Sequence, residues 1–411
     1  MKPRIFIAIH YMHLGGAETS LLGLLQSIDT SKVVVDLFVY SHEGELMKLI
    51  PDGINLLPEN PIWSMFEKPL KFVLRKGYLR MFVARMWAKF RVRGYKRQEC
   101  KESHALLSYI GDEVSKILPN LYHLGTYDLA ISFLTPHNFV LDHVHANKKI
   151  CWIHTDYTKI DINAELEIPV WNSYDYIASI SDDVTKTFLE VFPTLKDKII
   201  EIENILSPEF VRSRAEMIPV EEIDKVIPYN DGCIKLLTIG RYSPQKKLEQ
   251  IPAICRGIIE SGIDIKWYII GFGASDEYIR KEIDKEGMQD RVILLGKKEN
   301  PYPYIKACDW YVQPSRYEGK SVVVREAQML GKPVIVTNYP TASSQIKHGV
   351  DGVIVPMEIS ECANQMVCAL SDNHLKHKLM EYVSSHDYGN MKEVEKLYKI
   401  LDNTNIYATD K

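Results

Sequence analysis

The chain has 411 residues, enough for two or three domains at about 150 residues each, with 46% hydrophobic and 25% charged residues, as in an ordinary globular protein. Its 50 Lys and Arg against 54 Asp and Glu leave a net charge of -4, which excludes a generally basic nucleic-acid binder but leaves room for a local basic patch. The seven cysteines are scattered without any Cys-x-x-Cys, which argues against a disulfide framework or zinc ribbon and for a reducing cytoplasm.

The first apolar run, 5–9, is too short for a signal peptide and is followed at once by His10 and Tyr11. No run of about 18 uncharged apolar residues follows, so no membrane-spanning helix is expected. From 4–9 onward, short apolar runs alternate with helical patterns. The first series of expected strands is 4–9, 33–40, 129–133, 149–153, 176–180 and 199–202. A second series is 234–239, 265–270, 292–295, 310–313, 333–337 and 353–355. Short runs that are apolar throughout read as buried parallel strands, and strand–helix alternation reads as an α/β architecture. Two series predict two doubly wound domains. The expected boundaries are 1–206, a linker at 207–232 rich in Pro, Gly and charge, 233–385, and a terminal helical stretch within 386–411.

Within the first domain, an insertion at about 62–120 contains an unusual stretch. Between 66 and 97 it holds eleven basic residues, among them Arg75, Lys76, Arg85, Lys89 and Arg93, against the single acid Glu67. Aromatic and aliphatic residues, including Trp87, are interleaved with them. Basic amphipathic helices with aromatic anchors bind anionic membrane surfaces. The plainer alternative is a helical hairpin with its apolar side on the core. RNA binding is disfavoured because no stacking module accompanies the charge.

Four loops after strands carry residues suited to chemistry, where ligands bind in sheets of this kind. The loop 14–18 has Gly15, Gly16 and Glu18 and opens a helix, which suits either a close-approaching anion or a simple tight turn. The loop 240–246 has Arg241 and Lys246 five residues apart, either a diphosphate-neutralising pair or two solvated cations. Gly271 and Gly273 offer bare backbone after a strand but do not form a dinucleotide fingerprint. The loop 314–321 holds Glu318 before a helix expected at 322–330, closed by Gly331 and Pro333, and Glu326 lies inside that helix. Two such carboxylates suit sugar hydroxyls; the alternative is a capping acid and a surface acid.

Taken together, Gly15-Gly16-x-Glu18, Gly240-Arg241 with Lys246, and Glu318 with Glu326 resemble the loops of retaining glycosyltransferases of the GT-B fold, glycosyltransferase family 4. The resemblance covers nearly the whole chain and is densest from 234 to 356. It implies two Rossmann-like domains facing across a cleft, acceptor-binding first and donor-binding second, with the terminal helix crossing back to the first. It implies that Arg241 and Lys246 bind the donor diphosphate and that Glu326 holds the ribose. Glu318 then contacts the donor sugar, and the N–H groups of Ser321, Val322 and Val323 meet the diphosphate. Gly16 lines the same pocket, as do Gly271 and Gly273, and His154 faces the reacting sugar carbon. His143 and His145 are expected to be structural. The family often has Phe-Gly where this chain has Lys320-Ser321, so its donor preference does not transfer.

The implied activity is retaining, metal-independent hexosyl transfer with no bound cofactor, from a nucleotide-diphosphate sugar, with uridine the expected base. The acceptor is a glycan or polyprenyl-linked sugar in capsule, exopolysaccharide or lipopolysaccharide synthesis, met at the inner face of the cell membrane. The absence of Asp-x-Asp agrees with a metal-free diphosphate site. The alternatives are a GT-B nucleotide-sugar epimerase or phosphorylase, or a catalytically silent partner subunit.

Overall fold

A computed structural model describes residues 2–13, 15–95 and 102–402. Leu14, Lys96, Arg97, Cys100 and the end of the terminal stretch lie outside the described residues. The chain divides into two compact units: one runs to Ile205 and resumes at Asn390, and the other is Leu206–Gly389.

The first unit is built on strands β1 (Arg4–Ile9), β2 (Val34–Val39), β3 (Asn55–Leu56), β5 (Tyr127–Ser132), β6 (Ala146–Ile153), β8 (Tyr176–Ser179) and β9 (Ile199–Glu201). They form one parallel sheet in the order β3-β2-β1-β5-β6-β8-β9, while β4 (Glu102–Ser103) pairs separately with β7 (Ile160–Asp161). The second unit holds β10 (Ile234–Ile239), β11 (Ile265–Ile270), β12 (Val292–Gly296), β13 (Trp310–Gln313), β14 (Val334–Thr337) and β15 (Val353–Val355). Its parallel order is β12-β11-β10-β13-β14-β15. In both sheets the chain winds outward from the first strand, then returns and winds the other way. The switch points therefore lie between β1 and β5 and between β10 and β13, where such sheets open a crevice at their carboxyl ends.

The central strands are apolar on both faces because helices cover both faces. Ile5, Phe6, Ile7 and Ile9 are buried without exception, as are Leu236 and Leu237 in β10. Two apolar layers flank the second sheet, one around Trp267 and Trp310 and the other around Tyr268 and Tyr311.

Four helices of the first unit matter below: α1 (Gly16–Ser27), α2 (Leu70–Arg75), α3 (Leu79–Arg91) and α4 (Ala105–Ser115). Met81, Ala84 and Ala88 of α3 form a buried stripe at helical spacing, and Arg91 pairs with Asp112 and Glu113 of the α4 region. The other side of α2 and α3 is exposed and mixed. Phe72, Leu74, Leu79, Val83, Met86, Trp87 and Phe90 lie there with Lys71, Arg75, Lys76, Arg80 and Lys89.

Residues 207–232, expected as a linker, are part of the second unit. Helices Pro208–Ala215 and Val220–Asp224 place Val211, Ala215, Ile223 and Ile227 in its core. Two of the prolines that read as loop punctuation, Pro208 and Pro219, stand at helix starts. Pro208 is the first helical residue, and Ser207 Oγ accepts from the Phe210 N–H at 3.2 Å. The terminal helix Glu395–Leu401 packs within the first unit, where Lys396 Nζ donates to Glu201 O at 2.9 Å and the Asp29 N–H donates to Tyr398 Oη at 2.7 Å.

Candidate functional site

The second unit gathers its chemistry at the β10/β13 switch point. Lys246 follows β10 and Glu318 follows β13, and Lys246 Nζ meets Glu318 Oε1 at 2.6 Å. Gln313 Nε2 donates to the same oxygen at 3.1 Å, and Ser315 Oγ also donates to it. All three donors converge on Oε1, so Oε2 accepts none among the described residues. The carboxylate is thus fixed on one side and free on the other.

The two loops are zipped along their length. The Arg316 N–H donates to Gln245 O at 2.8 Å, Gln245 Nε2 donates to Tyr317 O at 3.1 Å, and Arg316 pairs with Glu249 at 2.5 Å. Lys247, next to Lys246, has a left-handed backbone at φ 57° and a buried side chain whose Nζ donates to Met357 O. A lysine held in that conformation by burial is a strained position at a functional loop. Arg241 stands exposed at the mouth of the same loop, with no partner among the described residues.

Glu326 lies one helix deeper. It is 3% exposed, and Tyr302 Oη donates to its Oε1 at 2.8 Å. Burial pushes its carboxyl up to about 7, the tyrosine hydrogen bond opposing the rise. Its helix, Val322–Met329, ends in a Schellman arrangement. The Lys332 N–H donates to Ala327 O, the Gly331 N–H donates to Gln328 O, and Gly331 has φ +70°. At the other end no side chain caps it, so the first-turn N–H groups of Val322 and Val323 are not taken by a cap. The Ser321 N–H differs from the expectation. It donates to Gln345 Oε1 at 2.9 Å, and Gln345 Nε2 returns a bond to Ser321 O at 2.7 Å, so this group already has a partner.

Gly271 and Gly273 have a structural reason to be glycine. A Cβ on Gly271 would lie 1.9 Å from Gly240 O, and one on Gly273 2.4 Å from Tyr242 O. Both have positive φ, so they let the loop after β11 pack against the loop after β10.

In the first unit, Gly16 opens α1 after β1, and Glu18 folds back over Gly15, where a Cβ would meet its Oε2 at 2.2 Å. His154 ends β6. Its Nε2 lies 3.0 Å from Phe133 O and therefore carries the proton; its Nδ1 is buried without a partner. Burial lowers its pKa to about 4, so it is neutral at physiological pH. His143 bonds Ser115 O at 2.8 Å and His145 stacks on Tyr122. Of the residues expected on that surface, Arg75, Lys76, Trp87, Lys89 and Arg93 are exposed. Arg85 is not part of that face. It is turned inward, Nη1 donating to Met65 O at 3.1 Å and to Lys68 O at 2.5 Å. Loop carbonyls at the foot of α2 need a donor, and α3 supplies it. Among the described residues no helix is long and apolar enough to cross a membrane.

Tyr302, Gln313, Ser315, Arg316 and Lys247 were not singled out from the sequence. Gln313 and Ser315 had a signal, polar residues ending an apolar strand within five positions of Glu318. Tyr302 had none, because 24 residues and a strand separate it from Glu326.

Residues 219–386 match the model of the family described as Glycosyl transferases group 1. The alpha-D-kanosaminyltransferase of Streptomyces kanamyceticus is 26% identical over 149 residues, 36% of this chain and 39% of that protein. An Escherichia coli UDP-Gal:alpha-D-GlcNAc-diphosphoundecaprenol alpha-1,3-galactosyltransferase is 26% identical over 156 residues, 37% of this chain and 40% of its own length. The chain thus spans about two-fifths of the length of these curated relatives. In fold the likeness runs end to end. Anabaena HepE in complex with UDP matches with a TM-score of 0.63 at 15% identity, covering 98% of this chain and 100% of that one. Staphylococcus aureus TarM, in complex with UDP and other ligands, matches with a TM-score of 0.67 at 13% identity, covering 98% and 100%. The fold is the expected α/β one, two parallel-sheet Rossmann-like units matching these GT-B structures.

Proposed function

We propose that this chain, whose residues 219–386 are a glycosyl transferases group 1 domain, is a retaining glycosyltransferase of family 4 that takes a nucleotide-diphosphate sugar, with UDP the expected nucleotide, as donor. One observation carries the reading: the Lys246–Glu318 pair sits at the β10/β13 switch point beside an uncapped helix N-terminus and a buried carboxylate.

Each group has a task in that reading. Arg241, Lys246 and the Val322 and Val323 N–H groups bind the diphosphate and take up its charge as it leaves, the role a metal ion plays elsewhere. Glu326, steadied by Tyr302, accepts from the ribose hydroxyls. Glu318, held through Oε1, accepts from a sugar hydroxyl with Oε2. The anomeric C–O bond breaks and its electron pair goes to the departing phosphate oxygen. The acceptor oxygen bonds the same face of the carbon, and its proton passes to that phosphate oxygen. His154 of the first unit is neutral and hydrogen-bonded to the backbone, which does not suit it to serve as a charged acid.

The acceptor is a glycan or polyprenyl-linked sugar in cell-surface polysaccharide synthesis. The exposed apolar and basic face of α2 and α3 docks on an anionic membrane, at the inner face of the cell membrane, where such acceptors reside. Support comes from the relatives that act on diphosphoundecaprenol-linked sugars and from the composition of that face. The test is release of nucleoside diphosphate from a panel of UDP-, GDP- and ADP-sugars with polyprenyl-diphosphate sugars, with product anomers read by NMR. Arg241→Ala and Glu326→Ala are expected to abolish turnover while keeping the fold. Unchanged rates in both would sink the assignment.

A further inference from the structure

The helix Val322–Met329 has a serine, Ser321, at its N-cap position. A serine hydroxyl there ordinarily accepts from an N–H of the first turn, yet Ser321 makes no such bond. Its backbone is held instead by Gln345, 24 residues on. The Ser321 N–H donates to Gln345 Oε1 at 2.9 Å, and Gln345 Nε2 donates to Ser321 O at 2.7 Å. The amide fits in this orientation only, since a flip would set oxygen against oxygen and N–H against N–H.

The second of these bonds reaches the helix start. A peptide unit is planar and trans, so its C=O and N–H point in opposite directions and turn together. Ser321 O and the Val322 N–H belong to one such unit. The helix holds that carbonyl loosely, the Arg325 N–H donating to it at 3.4 Å. Gln345 holds it at 2.7 Å and so fixes where the Val322 N–H points. An ordinary cap steadies a helix start by occupying its N–H groups. Gln345 steadies this one from the carbonyl side, and no side chain caps the first turn.

Gln345 is itself firmly placed. It ends a short helical turn, Ala342–Gln345, flanked by core residues. Ala342 is fully buried, Ile346 is 2% exposed, and both lie in the apolar layer that also holds Val322 and Val324. The same segment reaches the other end of the loop 318–321, where Thr341 Oγ1 donates to Glu318 O at 3.1 Å. Residues after β14 thus hold that loop at its first residue and at its last.

Two plainer roles fit less well. Packing alone would need no amide, because a methionine has the same reach and no polar atoms to satisfy. Capping would have Gln345 accept from the first-turn N–H groups, and it accepts from Ser321 instead. We propose that Gln345 is a positioning residue for the donor diphosphate, acting through the Ser321–Val322 peptide to aim the Val322 N–H at a phosphate oxygen. That the group met is a diphosphate rests on the donor reading above; that Gln345 fixes the peptide does not.

The test is titration calorimetry of the full chain with UDP, GDP and ADP, followed by NMR titration of the parent nucleoside of whichever binds most tightly. Gln345→Met keeps the length and removes both bonds. Gln345→Glu keeps the acceptor for the Ser321 N–H and removes only the donor to Ser321 O. The diphosphate's affinity is expected to fall about tenfold in each at neutral pH, with the nucleoside's affinity within about twofold of the wild type. A merely structural side chain would lower both ligands together or neither. Acid restores a donor O–H to Gln345→Glu, so its loss relative to the wild type is expected to shrink toward about pH 5, while that of Gln345→Met stays constant. Titration of the nucleotide and of Glu326 is common to all three chains and leaves those ratios alone. Should Gln345→Met fail to fold, Gln345→Glu decides by the same comparison. Full diphosphate affinity in the variants, or an equal fall for diphosphate and nucleoside, would overturn the positioning role and leave the donor reading standing. No binding of any of the three nucleotides by the wild type would overturn both.

Discussion

Glu326 ties the stability of the second unit to pH. Its carboxyl is raised by burial from 4.5 to about 7, so between those values the folded chain holds a proton that the unfolded chain has lost. The contribution is therefore full below pH 4.5 and is lost as pH rises through 7. Glu326→Gln removes that loss, because an amide stays neutral and still accepts from Tyr302. The variant is expected to melt higher than the wild type at pH 8, by up to about 3 kcal/mol, and to lose the advantage toward pH 4.5, as calorimetry across pH would record. It is also expected to lose donor affinity, the usual exchange at a strained site. Tyr302→Phe removes a hydrogen bond to the ionised carboxylate and raises its pKa further. The midpoint of UDP binding against pH is expected to move upward, and an unmoved midpoint would count against Glu326 as the ribose group. The two glutamates were legible because one lies in a strand-to-helix loop and the other eight residues on in the helix that follows. The groups that hold them were not, because Tyr302 reaches Glu326 through tertiary packing alone.

At the scale of elements, the loops after β10 and β11 fit only because Gly271 and Gly273 lack side chains. Gly271→Ala forces a Cβ to 1.9 Å from Gly240 O at a positive φ, and is expected to destabilise the second unit by about 1–3 kcal/mol and to weaken nucleotide binding. Denaturant unfolding with a UDP titration measures both. The α2–α3 pair makes a separate prediction. Reversing Lys76, Lys89 and Arg93 to glutamate is expected to lower co-sedimentation with phosphatidylglycerol vesicles more than about a hundredfold, at roughly 1 kcal/mol per charge. The wild-type binding is expected to fade with salt, and insensitivity to both changes would remove the membrane from the account. The expected strands lie within a residue or three of the observed ones, β1, β10, β11, β13 and β15 at their full bounds, because buried parallel strands are apolar throughout, whereas the two-residue strands β3, β4 and β7 were not read. Arg85 and 207–232 were misread for opposite reasons. A basic residue on a basic helix found an inward partner, and prolines that end one pattern began another.

The whole molecule repeats one architecture twice and specialises each copy. The second unit holds the residues that match the transferase family, and its crevice lies where two parallel half-sheets diverge. The first unit keeps the same winding but adds an insertion, and its sequence lies wholly outside the family match. The doubling was legible because each series restarts with a strand. The central claim is that the second unit binds a nucleoside diphosphate through Arg241, Lys246 and Glu326. The most direct measurement is the thermal shift of the full chain with UDP, GDP and ADP in the presence of a chelator, alongside Arg241→Ala and Lys246→Ala. The account predicts a rise in melting temperature with one nucleotide, UDP first among them, that vanishes in both variants. No rise with any of the three, or a rise that both variants retain, would contradict it.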